Sequence, residues 1–410
     1  MSIDLTSLPK LMPEPKKLNL RLWAFLLVAF IFIGAVITVA TSFFYRIPNA
    51  LFLSGIFVFP VLIWGGLFLY RFYAHSYCKA YNNEWNLYRE QRKEEMINDG
   101  QRGLSVLGYL LVTQYGKLGN AANIIDNKFL MTSKLHPKSS IVVPHTTLPI
   151  NDDLKNENFS DRLQLIFTDW EKEIKAKLDQ VPTNLNLHVR LFIDAGISEE
   201  QINTLWTNTL GKLVSNPTSL VIEAPSRSST FIESWLDDKE HDNDLLLVIN
   251  AHMFFSPEKN QGEFASWLLL AGEKADIGAL LDDQSSLVKV HRSEQTSSLN
   301  QTIDNALLWG SANKATYGDV WYNGVSSVLK NDIVNHFNQI EFKPQNMVNV
   351  ESAIGYAGLC SYWLGLSLAI ENAVNSKNNQ LIVIGKPKVA ASVVSYLQNN
   401  ITSSSDNGNV

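Results

Sequence analysis

The stretch Ile354–Asn375, IGYAGLCSYWLGLSLAIENAVN, decides how the larger part of this chain folds. It reads as a helix with no charge before Glu371, and Gly355, Ala357, Gly358, Gly365 and Ala369 allow close backbone approach. A helix apolar nearly all round is buried on most of its faces. A membrane would also bury it, but Glu371 and the flanking Glu351 and asparagines argue against a span here. The segment that follows, NQLIVIG (Asn379–Gly385), fits a core strand. Working outward, strands are expected at Leu104–Val112, Ser140–Val143, Asn186–Ile193, Ser219–Glu223, Asp244–Asn250, Ser266–Ala271, Leu287–His291 and Gln380–Ile384. Helices are expected at Arg162–Leu178, Ser198–Leu213, Ser228–Leu236, Ser297–Leu308, Gly318–Ile340 and Pro387–Asn399, besides Ile354–Asn375. Strands rich in branched residues, interleaved with helices, specify a layered α/β body.

Ahead of that body lie two uncharged apolar runs, Leu22–Tyr45 and Ile47–Tyr70, each 24 residues long and separated by Arg46 alone. About 20 helical residues cross a ~30 Å hydrocarbon core, so the pair reads as a transmembrane hairpin. Lys10, Lys16, Lys17 and Arg21 precede it, and Arg71, Lys79, Arg89, Arg92 and Lys93 follow it. The positive-inside bias therefore places both ends in the cytoplasm and the Tyr45–Pro48 turn outside, with a bacterial inner membrane as the expected location. A cleaved signal peptide fits less well, because no small-residue cleavage site follows the first run. Gly55, Gly65 and Gly66 in the second run offer lateral contacts. Beyond it, Tyr77, Tyr81, Trp85 and Tyr88 fall on one helical face, expected on a helix continuing from the second span toward the body; a partner-binding helix is the sharper reading.

The expected divisions are a cytoplasmic segment over residues 1–21, the hairpin over 22–72, a juxtamembrane helix over 73–102, the α/β body over 103–400 and a Ser/Asn-rich disordered tail over 401–410. The chain carries a formal charge of −6 and 46% apolar residues. It has no basic stripe for nucleic acid, and no repeat of 20–50 residues stands out. Cys78 and Cys360 form no disulfide framework or zinc spacing, which agrees with a cytoplasmic body.

Motifs that carry chemistry are sparse. The eight histidines (His75, His136, His145, His188, His241, His252, His291 and His336) show no paired-ligand spacing, and no glycine-rich phosphate loop appears. The acidic run Asp237–Asp244, DDKEHDND, lacks the glycine and terminal glutamate of a calcium loop and reads as solvated surface. Ser226, Ser228 and Ser229 have no glycine elbow around them and read as a helix N-cap. No cofactor and no metal are expected.

Four segments carry a family resemblance. LSVLGYLLVTQYGKLGN (Leu104–Asn120) resembles the opening strand and turn of thiolase-fold condensing enzymes, the β-ketoacyl synthases. IEAPSRSS (Ile222–Ser229), followed by a helix and DLLLVIN, resembles the place of their nucleophilic cysteine. GEFASWLLLAGE (Gly262–Glu273) is similar to the next strand, and the stretch from Ala353 to Val374 to their glycine-histidine-threonine segment and buried helix. The likeness covers Leu104–Tyr396 and implies a five-layered αβαβα body that pairs as a homodimer. The same likeness marks what is missing. Pro225 and Ser226 stand where the cysteine belongs, Leu307–Asp319 holds no first histidine, and Tyr356 follows Gly355 where the second histidine belongs. Such enzymes need a thiolate and imidazoles, so the resemblance implies a pseudoenzyme without catalytic residues. Cys360 reads as a buried, inert thiol. The leading expectation is a non-catalytic scaffold or adaptor, held in the bilayer through Leu22–Tyr70, that binds protein components of an envelope complex. The overall layout faintly resembles accessory proteins of type VI secretion systems. The alternatives are an acyltransferase or hydrolase acting on lipid-linked substrates through Ser226 or Ser228, and an envelope stress or lipid sensor.

Overall fold

This computed structural model describes residues 3–135, 142–149, 158–182, 184–214, 217–254, 256–277, 287–311 and 317–397. The expected tail over 401–410 lies outside them, as do Ser140 and Ile141 of one expected strand. The chain divides into two compact units, Asp4–Met96 and the remainder from Ile97 onward.

The first unit is helical. Helix α1 (Leu20–Ser42) is capped by Asn19 Oδ1, which accepts from Leu22 N. A second helical run, Asn49–Gly100, is built from α2 (Asn49–Leu53), a π-helical turn (Ser54–Val58) and α3 (Phe59–Gly100). Both runs are long and apolar enough to cross a membrane by length and composition. The π-turn ends two residues before Pro60, whose missing N–H interrupts the regular ladder in this stretch. The two runs cross where side chains are small. A Cβ on Gly34 would stand 2.3 Å from Pro60 Cγ, and one on Gly55 would stand 2.4 Å from Thr38 Oγ1. Gly55 is thus spent inside the pair rather than on lateral contacts, whereas Gly65 and Gly66 face open space. Trp64 Nε1 donates to Trp23 O at 3.0 Å. Helix α3 continues unbroken past Tyr70. On it, Asn86 exchanges two hydrogen bonds with the backbone of Met12, and Arg89 Nε donates to Pro9 O at 2.7 Å. Of the expected aromatic face, Tyr77, Tyr81 and Tyr88 are exposed and Trp85 is half-buried.

The second unit is built on a ten-stranded sheet. Its strands, together with those of a separate three-stranded sheet in the order β2-β3-β7, are β1 (Gly103–Val112), β2 (Ser133–Leu135), β3 (Val142–Thr146), β4 (Leu187–Asp194), β5 (Ser219–Ile222), β6 (Leu245–His252), β7 (Gln261–Gly262), β8 (Phe264–Ala271), β9 (Val288–His291), β10 (Tyr317–Asn323), β11 (Asn346–Asn349), β12 (Asn379–Ile384) and β13 (Ala390–Tyr396). The order β11-β10-β12-β13-β9-β1-β8-β6-β4-β5 contains the same five-strand pattern twice. In one half β5, β4 and β6 run parallel and β8 and β1 pair antiparallel. In the other, β11, β10 and β12 run parallel and β13 and β9 pair antiparallel. Antiparallel pairing of β1 with β9 joins the halves. The duplicated unit is far longer than 50 residues, so a search for short repeats passes over it.

Alternation of side chains across the strands sorts the apolar residues into three cores. The helices are α4 (Asn120–Ile125), α5 (Phe159–Leu178), α6 (Glu199–Asn208), α7 (Phe231–Asp237), α8 (Leu299–Trp309), α9 (Ser327–Gln339), α10 (Val350–Ala353) and α11 (Ser361–Ser376). The central core places α7 and α11 against Phe192, Leu246 and Leu268 of one half and Trp321, Ile382 and Val394 of the other. Helices α5 and α6 cover the opposite face of the first half through Phe167, Trp170 and Trp206. Helices α8 and α9 cover the opposite face of the second through Ile303, Ala306 and Phe337. Each half of the large sheet is thus covered by helices on both faces, with α11 buried in the central core. As its composition requires, α11 is buried from Ser361 to Ala373.

Three sequence expectations are corrected. The helix expected over Ile354–Asn375 begins only at Ser361, because Gly355 (φ +107°) and Gly358 (φ +56°) hold left-handed backbone that ends any helix there. The helix expected over Gly318–Ile340 is strand β10 followed by α9. The helix expected over Pro387–Asn399 is instead a short non-helical lead-in followed by strand β13 (Ala390–Tyr396), buried on both faces so that no period-two pattern marks it. The acidic run is not simply surface either. Asp242 and Asp244 are buried, and Asp242 pairs with Arg102 at 2.5 Å and Lys274 at 2.9 Å.

Candidate functional site

Parallel strands end on a common edge, and side chains at their C-terminal ends converge there. Asp194 closes β4 and His252 closes β6. These two are register partners, and His252 Nδ1 lies 2.9 Å from Asp194 Oδ2. His252 is buried, and its Nε2 has no hydrogen-bond partner among the described residues.

The loop before α11 lies against this pair. A Cβ on Gly358 would stand 2.7 Å from His252 Cε1 and 3.2 Å from Asp194 Oδ2, so only glycine fits beneath the imidazole. The loop is clamped by the strand ahead of β8. Tyr356 N donates to Asn260 O at 2.7 Å, Gly262 N donates to Tyr356 O at 3.1 Å, and Thr146 Oγ1 donates to Ile354 O. A Cβ on Gly262 would stand 1.9 Å from Ile354 O, so the two backbones touch.

Tyr356 itself is half-buried. Lys386 Nζ sits 5.9 Å from its ring centroid, and a Cβ on Gly324 would stand 3.2 Å from its Cε2. Gly324 N in turn donates to Glu351 Oε1 at 2.8 Å. Burial, then the carboxylates of Glu351 and Asp194, push the Tyr356 phenol above its ordinary value. It is a neutral phenol near pH 7.

Ser226 lies on a 3-10 turn, Pro225–Arg227, between β5 and α7. It is exposed and has no side-chain partner among the described residues. Ser228 is buried and donates to Pro225 O at 2.6 Å. Helix α7 begins at Phe231, with Thr230 at its cap position and no side-chain cap bond, so the serines do not cap it as expected. Glu223 and Arg227 pin the turn at 2.7 Å. Cys360 is fully buried, its sulfur 3.9 Å from Phe192 O and 3.8 Å from Ala251 O. Burial, then Asp194, push its thiol well above the ordinary range.

Of the positions singled out by resemblance, Tyr356 reaches this edge, and Pro225 and Ser226 lie on the turn leading into α7. The stretch Leu307–Asp319 ends α8 and begins β10, with 312–316 outside the described residues. The segment after β10 that lies against Tyr356 starts at Gly324, followed by Val325 and Ser326. Sequence reading missed Asp194, His252, Glu351 and Lys386. Asp194 and His252 are brought together only by the pairing of β4 with β6.

No family model matches the chain, and no curated protein matches it. Among solved structures it is similar to a chain of a type II polyketide synthase complex, described as an acyl-carrier protein with its ketosynthase bound to the hexaketide. The TM-score is 0.50 and the identity 14%, over 72% of this chain and 99% of that one. It is also similar to a variant of OleA from Xanthomonas campestris (TM-score 0.43, 10% identity, 72% and 98% of the two chains). The ishigamide ketosynthase/chain length factor gives a TM-score of 0.43 and 12% identity over 72% and 100%. The fold of the second unit is thiolase-like. Identity at this level speaks to the fold and not to an activity.

Proposed function

We propose that this protein is a membrane-anchored thiolase-like body that binds other proteins and performs no acyl transfer. The observation that carries this reading is the chemistry at the strand-end edge. A hydroxyl or thiol becomes a nucleophile when a base lies within about 2.6–3.2 Å or its pKa is lowered. Ser226 has no side-chain partner among the described residues, Ser228 spends its proton on a backbone carbonyl, and Cys360 is buried with its thiol pushed toward the protonated form. Tyr356, where an imidazole belongs by resemblance, is a phenol pushed away from ionisation. The apolar helices Leu20–Ser42 and Asn49–Gly100 support the anchor, and the charge bias around them supports a cytoplasmic body at an inner membrane. Strand β5 ends the sheet with Val221 exposed, which supports pairing with a second copy. No residue favours type VI secretion over another envelope complex, so the proposal stops at the class of protein-binding scaffold.

One observation favours a second reading. Asp194 and His252 form an oriented carboxylate–imidazole pair whose Nε2 is unpaired among the described residues, the arrangement a general base uses. On that reading the protein hydrolyses or transfers acyl groups with Ser226 as nucleophile. The two readings separate on the purified full-length chain in detergent. Hydrolysis of acyl thioesters and esters is measured for the parent, Ser226→Ala and His252→Gln. The scaffold reading expects no turnover in any of them. Turnover lost in both variants establishes the second reading instead.

A further inference from the structure

About 20 Å from that edge, taking ~3.3 Å per residue along β4 from Asp194 back to His188, a second cluster forms at the opposite ends of the same strands. His188 is the second residue of β4, Asp244 directly precedes β6, and His241 lies on the 3-10 turn Lys239–Asn243 between them. Pairing of β4 with β6 and the three-residue step from His241 to Asp244 bring three ligand atoms together. His188 Nε2 lies 3.1 Å and His241 Nδ1 2.9 Å from Asp244 Oδ2, and all three lie within 4.8 Å of one another.

We propose that His188, His241 and Asp244 bind one divalent transition-metal ion of the zinc type. Two imidazole nitrogens and one carboxylate oxygen are a ligand set for zinc and its first-row neighbours. Bonds of ~2.0–2.1 Å in a tetrahedral site hold ligand atoms about 3.3 Å apart, within a few tenths of an ångström of the two separations from Oδ2. Two of the ligands have hydrogen-bonded supporting partners of the kind metal sites use, and the third is held by ring stacking. His188 Nδ1 lies 2.8 Å from Ser219 Oγ, and Asn186 Nδ2 donates to Asp244 Oδ1 at 3.0 Å. The His241 ring stacks on Trp235 at 3.8 Å and 7°. His188 and Asp244 are buried and His241 is half-buried; a bound ion would take water as its fourth ligand. Calcium and magnesium want six or more oxygen ligands and find one carboxylate here.

The competing arrangement is a hydrogen-bonded triad in which Asp244 Oδ2 accepts N–H from both imidazoles. It differs in the tautomers of both His188 and His241, and at His188 the difference reaches Ser219. In the triad Nε2 carries the proton, whereas in the metal site Nε2 is bare and Nδ1–H donates to Ser219 Oγ, which already accepts from Arg190 Nη1 at 2.8 Å. Bound metal would fasten the Lys239–Asn243 turn to two core strands.

The test uses the full-length chain in detergent, stripped with chelator, desalted and titrated with Zn²⁺ or, separately, Co²⁺. The expected result is one ion per chain after desalting, with the intense visible absorption of four-coordinate cobalt. His241→Ala, at a half-buried position, removes both signals while far-ultraviolet circular dichroism stays unchanged. Ser219→Ala weakens binding by roughly 10–100-fold, the usual cost of losing a supporting partner. Failure to retain an ion, or binding that persists unchanged in His241→Ala, overturns the assignment in favour of the hydrogen-bonded triad.

Discussion

Lowering the pH strains the seam between the two five-stranded halves at one residue. His291 ends β9, which pairs with β1 across the seam, and its Nε2 lies 2.8 Å from Ser395 Oγ on β13. Burial, with a smaller push from Lys289, drives its imidazole from 6.5 down to about 4. The folded pKa is depressed, so the folded chain binds fewer protons than the unfolded one. The stability His291 contributes is complete above pH 6.5 and is lost as the pH falls toward about 4. At about 1.4 kcal/mol per pH unit, the gap is worth about 3 kcal/mol. Glu233 runs the other way. Burial and the nearby Glu294 raise its carboxyl from 4.5 to about 7, so its contribution is present below 4.5 and fades as the pH rises. It is partly exposed and damps the His291 slope without cancelling it. Urea unfolding of the full-length chain in detergent, followed by tryptophan fluorescence between about pH 7 and pH 4, reads both groups. Relative to His291→Gln, the parent should lose about 3 kcal/mol more over that interval, and Glu233→Gln should steepen the parent's slope. Parallel profiles for the parent and His291→Gln would refute a neutral, buried imidazole at the join.

Three further outcomes follow from particular contacts. Arg162 and Glu263 form a buried pair at 2.6 and 3.3 Å, and Glu263 also accepts from Leu148 N and Phe254 N. Arg162→Met strands that carboxylate and should cost roughly 3–5 kcal/mol in urea unfolding. Gly358→Ala combines a left-handed φ with a Cβ 2.7 Å from His252 Cε1 and should cost at least ~1–2 kcal/mol, measured the same way. A reporter fused after Tyr88 should be active only when it is of the cytoplasmic type; periplasmic activity there contradicts the charge-bias orientation.

Much of the fold was legible because burial leaves a mark in composition. The apolar stretch ending at Glu371 announced a central helix, and short continuous apolar runs such as Leu245–Ile249 announced core strands. What misled was local punctuation. Gly355 and Gly358 sit inside a helical pattern yet adopt positive φ, and β13 is buried on both faces, so its AASVVSY offers no alternation to separate strand from helix. The site was less legible for a topological reason. Asp194 and His252 are 58 residues apart and meet through strand register alone. His188 and Asp244, 56 apart, meet in the same way, and no spacing rule reaches across two parallel strands. The acidic run looked solvated because its charges are contiguous, but Asp242 and Asp244 find cationic or imidazole partners only in the folded chain.

The claim that this thiolase-like body does no acyl chemistry is tested most directly by intact mass. The purified full-length chain is incubated with acyl-thioester donors of several chain lengths, quenched and weighed. The account predicts an unchanged mass for the parent and for Ser226→Ala alike. A stoichiometric acyl adduct on the parent that disappears in Ser226→Ala contradicts it.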